Sequence, residues 1–132
     1  MALLFPPHPG TFLMCDFNTG FEPPEMTKRR PVVVISPRPK NRVGLCTVVP
    51  LSTAAPNPVR RFHYLMAERS LPPELRGQDS WAKCDMLCTV SLRRLDWVSG
   101  RRALRVLDED LVAIRRCVAV ALGLDVGGDE GA

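Results

Sequence analysis

Between Lys28 and Arg61 this 132-residue chain has no aspartate and no glutamate. Other things are missing as well. No run approaches the ~20 consecutive apolar residues of a membrane-spanning helix, so no membrane contact is expected. The N-terminus has no positively charged segment ahead of a long apolar one, so no export leader is expected. Five cysteines, an odd number, exclude a simple disulfide framework. None shows Cys-x-x-Cys spacing, so zinc is not expected, nor is any other metal or cofactor. The thiols read as reduced, small, apolar core side chains. With only His8 and His63 present, no histidine pair is placed for two-histidine acid–base chemistry. Aromatic residues are 6% of the chain and are needed mainly for packing. These absences together point to a soluble cytoplasmic protein.

The charge that is present is segregated rather than large. Lysine plus arginine number 18 against 14 acids, a net charge of +4. The acid-free stretch holds Lys28, Arg29, Arg30, Arg38, Lys40, Arg42, Arg60 and Arg61. Two apolar runs pass through it, Pro31-Val32-Val33-Val34-Ile35-Ser36 and Leu45-Cys46-Thr47-Val48-Val49-Pro50-Leu51-Ser52. Buried strands whose ends carry only positive charge suit a polyanion, and phosphate is the commonest one. A solvated loop surface would produce the same pattern. The length implies a single domain spanning residues 1–132, with a core over 9–124 and a flexible glycine-rich tail at 125–132. Such a core is small, and pairing into a homodimer would bury more surface.

Thirteen prolines punctuate the chain between apolar runs. Strands are expected at 11–17, 32–35, 45–51, 62–66, 81–90 and 95–98. Loops are expected at 19–30, 54–59 and 68–79, with a basic turn at 38–44. The run 32–35 is β-branched throughout, as in a strand covered on both faces. In 81–90, Ala82, Cys84, Met86, Cys88 and Val90 alternate with Lys83, Asp85 and Thr89. Residues 108–122 have helical periodicity, with Asp108 as cap, Glu109 and Asp110 at the positive end of the dipole, and Gly123 at the C-terminal stop. Leu111, Ile114, Val118, Ala121 and Leu122 share one face of that helix. This is a mainly β fold, a small antiparallel barrel with a helix packed on it.

Arg30 opens the first apolar run, where a strand would hold it and its fork could grip a phosphate bidentately. Glu25, five residues upstream, is close enough to pair with it or to take a proton. His63, between Phe62 and Tyr64, is either a titrating group beside the basic stretch or an exposed strand histidine.

The segment Arg30-Pro31-Val32-Val33-Val34-Ile35-Ser36 with Glu25 before it resembles the hallmark of the PemK/MazF toxins of bacterial toxin–antitoxin systems. Val48-Val49-Pro50-Leu51-Ser52-Thr53 is similar to that family's second block. The stretch from Asp79-Ser80-Trp81 to Arg94-Leu95 is similar to the third, and Leu122-Gly123-Leu124 to the C-terminal end. The resemblance implies an SH3-like β-barrel, a homodimer, and a metal-independent endoribonuclease that cuts single-stranded RNA, often mRNA, by attack of the ribose 2′-OH. It also implies a cognate antitoxin. Arg30 matches the family's catalytic arginine, and Ser52, followed by Thr53, its threonine. Glu25 is a candidate base. Lys28, Arg29, Arg38, Lys40, Arg42, Arg60, Arg61 and His63 are candidate RNA contacts. Met86-Leu87-Cys88-Thr89 stands where the family usually has Gln-Ile-Arg-Thr, so Cys88 replaces a second arginine. Two other readings share the fold: an RNA-binding module without catalysis, and a gyrase poison, whose apolar C-terminal end the residues 127–132 do not match.

Overall fold

The computed structural model describes Leu3, residues 6–98 and residues 104–124. The tail expected to be flexible at 125–132 lies outside the described residues. Among those described, seven strands form one antiparallel sheet. They are β1 (Phe12–Phe17), β2 (Lys28–Val34), β3 (Leu45–Ser52), β4 (His63–Leu65), β5 (Trp81–Lys83), β6 (Cys88–Ser91) and β7 (Leu95–Asp96). Their order is β4-β5-β3-β2-β1-β7, and β6 pairs with β3 off this path. A helical turn, α1 (Arg38–Asn41), joins β2 to β3, and α2 (Asp108–Ala121) follows the sheet.

The fold is the expected mainly β sheet with one C-terminal helix, but it does not close into a barrel. β4 and β7 occupy the two edges and do not pair with each other. Strands of three and two residues offer too few backbone groups to seal a seam.

β2 shows why the β-branched run was informative. Val32, Val33 and Val34 are all fully buried, on alternating faces. Val33 joins Phe12, Val49, Leu51, Ala82 and the α2 residues Ile114 and Val118. Val32 and Val34 join Leu13, Cys15, Phe17, Cys46, Val48, Val90 and Leu95 on the other side. The sheet thus has a helix face and a second apolar face.

Several boundaries differ from expectation. Lys28, Arg29 and Arg30 belong to β2 rather than to a loop, because they pair with Phe17, Asp16 and Cys15. The segment 68–79 contains two 3₁₀ turns, Glu68–Ser70 and Pro73–Leu75. The alternating run 81–90 is two strands broken by a third such turn, Cys84–Met86. That turn shifts the phase of alternation. Cys84 therefore faces the helix-side cluster and Cys88 the opposite one, whereas an unbroken strand would have put them together.

The helix stops as expected. Gly123 has φ +74°. Its N–H bonds to the Val120 carbonyl at 3.0 Å, and the Leu124 N–H to that of Ala119 at 2.8 Å, which satisfies the last carbonyls. Leu122 falls outside the helix and is exposed. At the other end the capping position is Leu107, not Asp108, and no side chain caps it. Asp110 is instead fully buried. Its carboxylate accepts from Tyr64 Oη at 2.5 Å, Ser70 Oγ at 2.5 Å and the Ala67 N–H at 3.1 Å. The acid that periodicity placed for the dipole is thus also a pin between α2 and the β4–β5 region.

Candidate active site

β-Strand pairing brings the two central sequence candidates together. Arg30 lies opposite Cys15 on β1. On its other side Val32 pairs with Pro50 and Val33 with Val49. Carried two residues further, that register sets Ser52 across from Arg30. Ser52 in turn pairs with Trp81, and Trp81 with Leu65. Cys15, Arg30, Ser52, Trp81 and Leu65 therefore form one row across five strands, on the face away from α2.

Local bonds orient both groups. Arg30 Nε donates to the Thr27 carbonyl at 3.2 Å, drawing the half-buried guanidinium toward the β1–β2 loop. Ser52 Oγ accepts from the Ala54 N–H at 3.1 Å, which leaves the hydroxyl proton to donate elsewhere. Thr53 is exposed in the turn that follows. The Trp81 indole N–H beside Ser52 is buried with no acceptor among the described residues.

The β1–β2 loop faces the Cys84–Met86 turn across a cleft of about 330 Å³, lined by Phe17, Phe21, Pro24, Glu25, Met26 and residues 85–88. Glu25 Oε1 accepts from the Glu22 N–H at 2.9 Å, so this candidate base sits on a tied turn. Arg94 fastens the loop's base: one guanidinium nitrogen donates to the Asp16 carbonyl at 3.0 Å and the Thr19 carbonyl at 2.9 Å. Its guanidinium carbon lies 4.7 Å from the centre of the Phe21 ring. Cys88 lines the cleft as a neutral thiol. Burial pushes its pKa up, Arg94 opposes this, and Glu25 adds to it.

The remaining cations do not share one groove. Arg29 points to the helix face, where its guanidinium is 3.6 Å from Asp96, because neighbours along a strand alternate. Lys28 shares Arg30's face and is exposed, with a left-handed φ of 73° at the strand entrance. Arg38, Lys40 and Arg42 lie beyond the far end of β2, about 20 Å along the strand from Arg30 at ~3.3 Å per residue. Arg38 donates to the Pro6 carbonyl at 3.2 Å and Lys40 to Thr47 Oγ1 at 3.3 Å. Arg60 and Arg61 lie in the exposed loop between β3 and β4, where they line a groove against Val120 and Ala121 at the C-terminal end of α2 rather than the Arg30 face. His63 is largely buried, and that burial lowers its pKa. Its Nδ1 accepts from the Arg60 N–H at 2.9 Å, and its Nε2 is 3.9 Å from Asp85 Oδ1. The acid-free stretch is contiguous in sequence but is dispersed in space, between the two ends of β2 and the α2 side of the β3–β4 loop.

The sequence reading missed Lys83 and Asp85. Lys83 pairs with His63 and alternates with buried Ala82, which puts it on Arg30's face. The signal was present in the polar positions of the alternating run 81–90.

A family model described as PemK-like, MazF-like toxin of type II toxin-antitoxin system matches residues 8–122. The chain belongs to this toxin family. Its sheet with a C-terminal helix is the family's fold, as the solved structures show. A crystal structure of MazF from Deinococcus radiodurans superposes with a TM-score of 0.70 at 23% identity, covering 91% of this chain and 99% of that one. An endoribonuclease from a mycobacterial species, in complex with its cognate antitoxin, gives 0.66 at 21% identity, covering 90% and 97%. A MazE-MazF structure from Deinococcus radiodurans gives 0.65 at 20% identity, covering 92% and 100%. No curated protein matches the chain at a significant level. Complexes with an antitoxin recur among these MazF neighbours.

Proposed function

We propose that this PemK/MazF-family toxin is a metal-independent endoribonuclease acting on single-stranded RNA. The observation that carries the reading is the pairing of Val32 with Pro50, two residues beyond which Arg30 and Ser52 lie on neighbouring strands and on the same face. The ribose 2′-oxygen attacks the adjacent phosphorus as its proton passes to a base, for which Glu25 is the candidate. The new bond closes a 2′,3′-cyclic phosphate, and the bond to the 5′-oxygen breaks, leaving a 5′-OH once protonated. Arg30 neutralises the charge that builds on the phosphorane oxygens, and Ser52 donates its free hydroxyl proton to one of them. Lys28 holds the strand at this end of the sheet, with Thr53 beside Ser52, while Arg60 and Arg61 meet RNA only where it passes the C-terminal end of α2. Arg38, Lys40 and Arg42 can meet only nucleotides further along the RNA.

The partners follow from the same reading: a homodimer in the cytoplasm, and a cognate antitoxin whose acidic segment covers the Arg30 face and competes with RNA. Neutral Cys88, in the position of a second arginine, favours one alternative, an RNA-binding module without catalysis. The deciding experiment is incubation of single-stranded RNA with the protein in excess EDTA, with analysis of the ends by mass spectrometry. Cyclic phosphate and 5′-OH ends are expected. Products with 3′-OH ends, or cutting that appears only on adding metal, would refute the mechanism. Binding with no cutting would establish the alternative.

A further inference from the structure

The cleft beside Arg30 is chemically unlike the cationic end of the sheet. Its lining is aromatic and apolar, with two carboxylates, Glu25 and Asp85, and no cation. Such a lining repels phosphate. It accepts a flat apolar ring that carries hydrogen-bond donors on its edge. A volume of about 330 Å³ is near the lower end of the ~300–1,000 Å³ range for small-ligand pockets, enough for one planar heterocycle.

Of the two acids, Asp85 is the one set up to read such an edge. It sits on the Cys84–Met86 turn, 41% exposed, with Oδ1 3.9 Å from His63 Nε2. The Arg60 N–H occupies His63 Nδ1, so the hydrogen-bond network assigns the ring proton to Nε2, facing Asp85. The imidazole thus backs one side of the carboxylate, and the rest is open at the cleft rim.

A carboxylate presents two acceptors side by side. Guanine alone among the four RNA bases has two adjacent donors on one edge, N1–H and the N2 amino group. Adenine and cytosine each set their amino group beside an acceptor nitrogen, and uracil sets its N–H between two carbonyls. We propose that this cleft binds a guanine of single-stranded RNA, packed against Phe21 and Met26 and read by Asp85. The inference rests on the RNA reading above and gives that site its base preference.

The test uses short 2′-fluoro oligouridylates, which cannot undergo 2′-OH attack, carrying a central guanine, adenine, cytosine or uracil. Fluorescence anisotropy should show the guanine oligomer bound about tenfold or more tighter than the other three. Asp85→Asn should erase that difference, and Asp85→Glu should keep part of it. Equal affinities for all four, as expected if the cleft instead takes a peptide side chain, would overturn the proposal. So would guanine preference intact in Asp85→Asn, or no binding of any oligomer. Because these ligands are uncleavable, guanine-selective binding without RNA cutting would sink only the enzyme reading. Cutting combined with indifferent binding would sink only the base subsite.

Discussion

At the residue scale, the proposed chemistry depends on two side chains held by different means. Arg30 is fixed by its strand and by the Thr27 carbonyl, Ser52 by the Ala54 N–H. Single oxyanion-type contacts are worth ~10²–10³ in rate. Arg30→Ala should therefore lower RNA cleavage by at least about 10²-fold with an unchanged circular dichroism spectrum. Arg30→Lys should retain part of the rate, since lysine keeps the charge without the bidentate fork. Ser52→Ala should fall by a similar factor, while Ser52→Thr, which restores the family's usual residue, should match or exceed the parent. Equal rates in all the Ser52 variants would move the role to Thr53 or remove it. Arg30 could be named from the sequence because it opens an apolar strand, and Ser52 because it stands at the toxin family's threonine position. That they face each other could not, since it depends on the pairing of β2 with β3.

At the element scale, the pin between α2 and the sheet is the buried carboxylate of Asp110. Removing it leaves the Tyr64 and Ser70 hydroxyls and the Ala67 N–H without their acceptor. Asp110→Ala should cost on the order of 3 kcal/mol in urea unfolding, and Tyr64→Phe less, about 1.5–3 kcal/mol, because two of the three donors keep their partner. A loss under about 1 kcal/mol for Asp110→Ala would show that water replaces the carboxylate. The helix itself was legible from its period, its acidic start and its terminal glycine. The role of Asp110 was not: an acid in the first turn ordinarily faces water, and only the approach of Tyr64 and Ser70 from distant sequence makes this one internal. The strand 81–90 failed for the opposite reason. Its alternation was real, but a three-residue turn changed its phase, and alternation carries no sign of where a phase breaks.

At the scale of the whole molecule, a second groove of about 610 Å³ runs between Val59–Phe62 and the α2 residues Val120 and Ala121. Val59, Leu122 and Leu124 are each more than half exposed. Apolar side chains left in water forgo roughly 1.5–3 kcal/mol each on full burial, which favours a partner surface there. Sedimentation at micromolar concentration should show a dimer, and the double variant Leu122→Asp, Leu124→Asp should shift it toward monomer. A parent protein that sediments only as monomer would remove the homodimer. An unshifted double variant would move the interface elsewhere. RNA affinity should also fall as salt rises, because phosphate neutralisation releases counterions. The slope should be modest, since the basic residues do not share one groove.

What the sequence determined by itself is local. The β-branched run of β2, buried on both faces, the helix with its glycine stop, the segments that mark the toxin family, and Arg30 and Ser52 as chemically apt residues all follow from periodicity and short motifs. Tertiary structure alone decided that the sheet stays open, that Arg29 turns away toward Asp96, that the acid-free stretch is dispersed in space, and that Asp85 and Lys83 come to the Arg30 face. The physical reason is the same in each case. Strand register and turn phase place side chains from distant segments within a few ångströms, and a slip of one residue reverses every face.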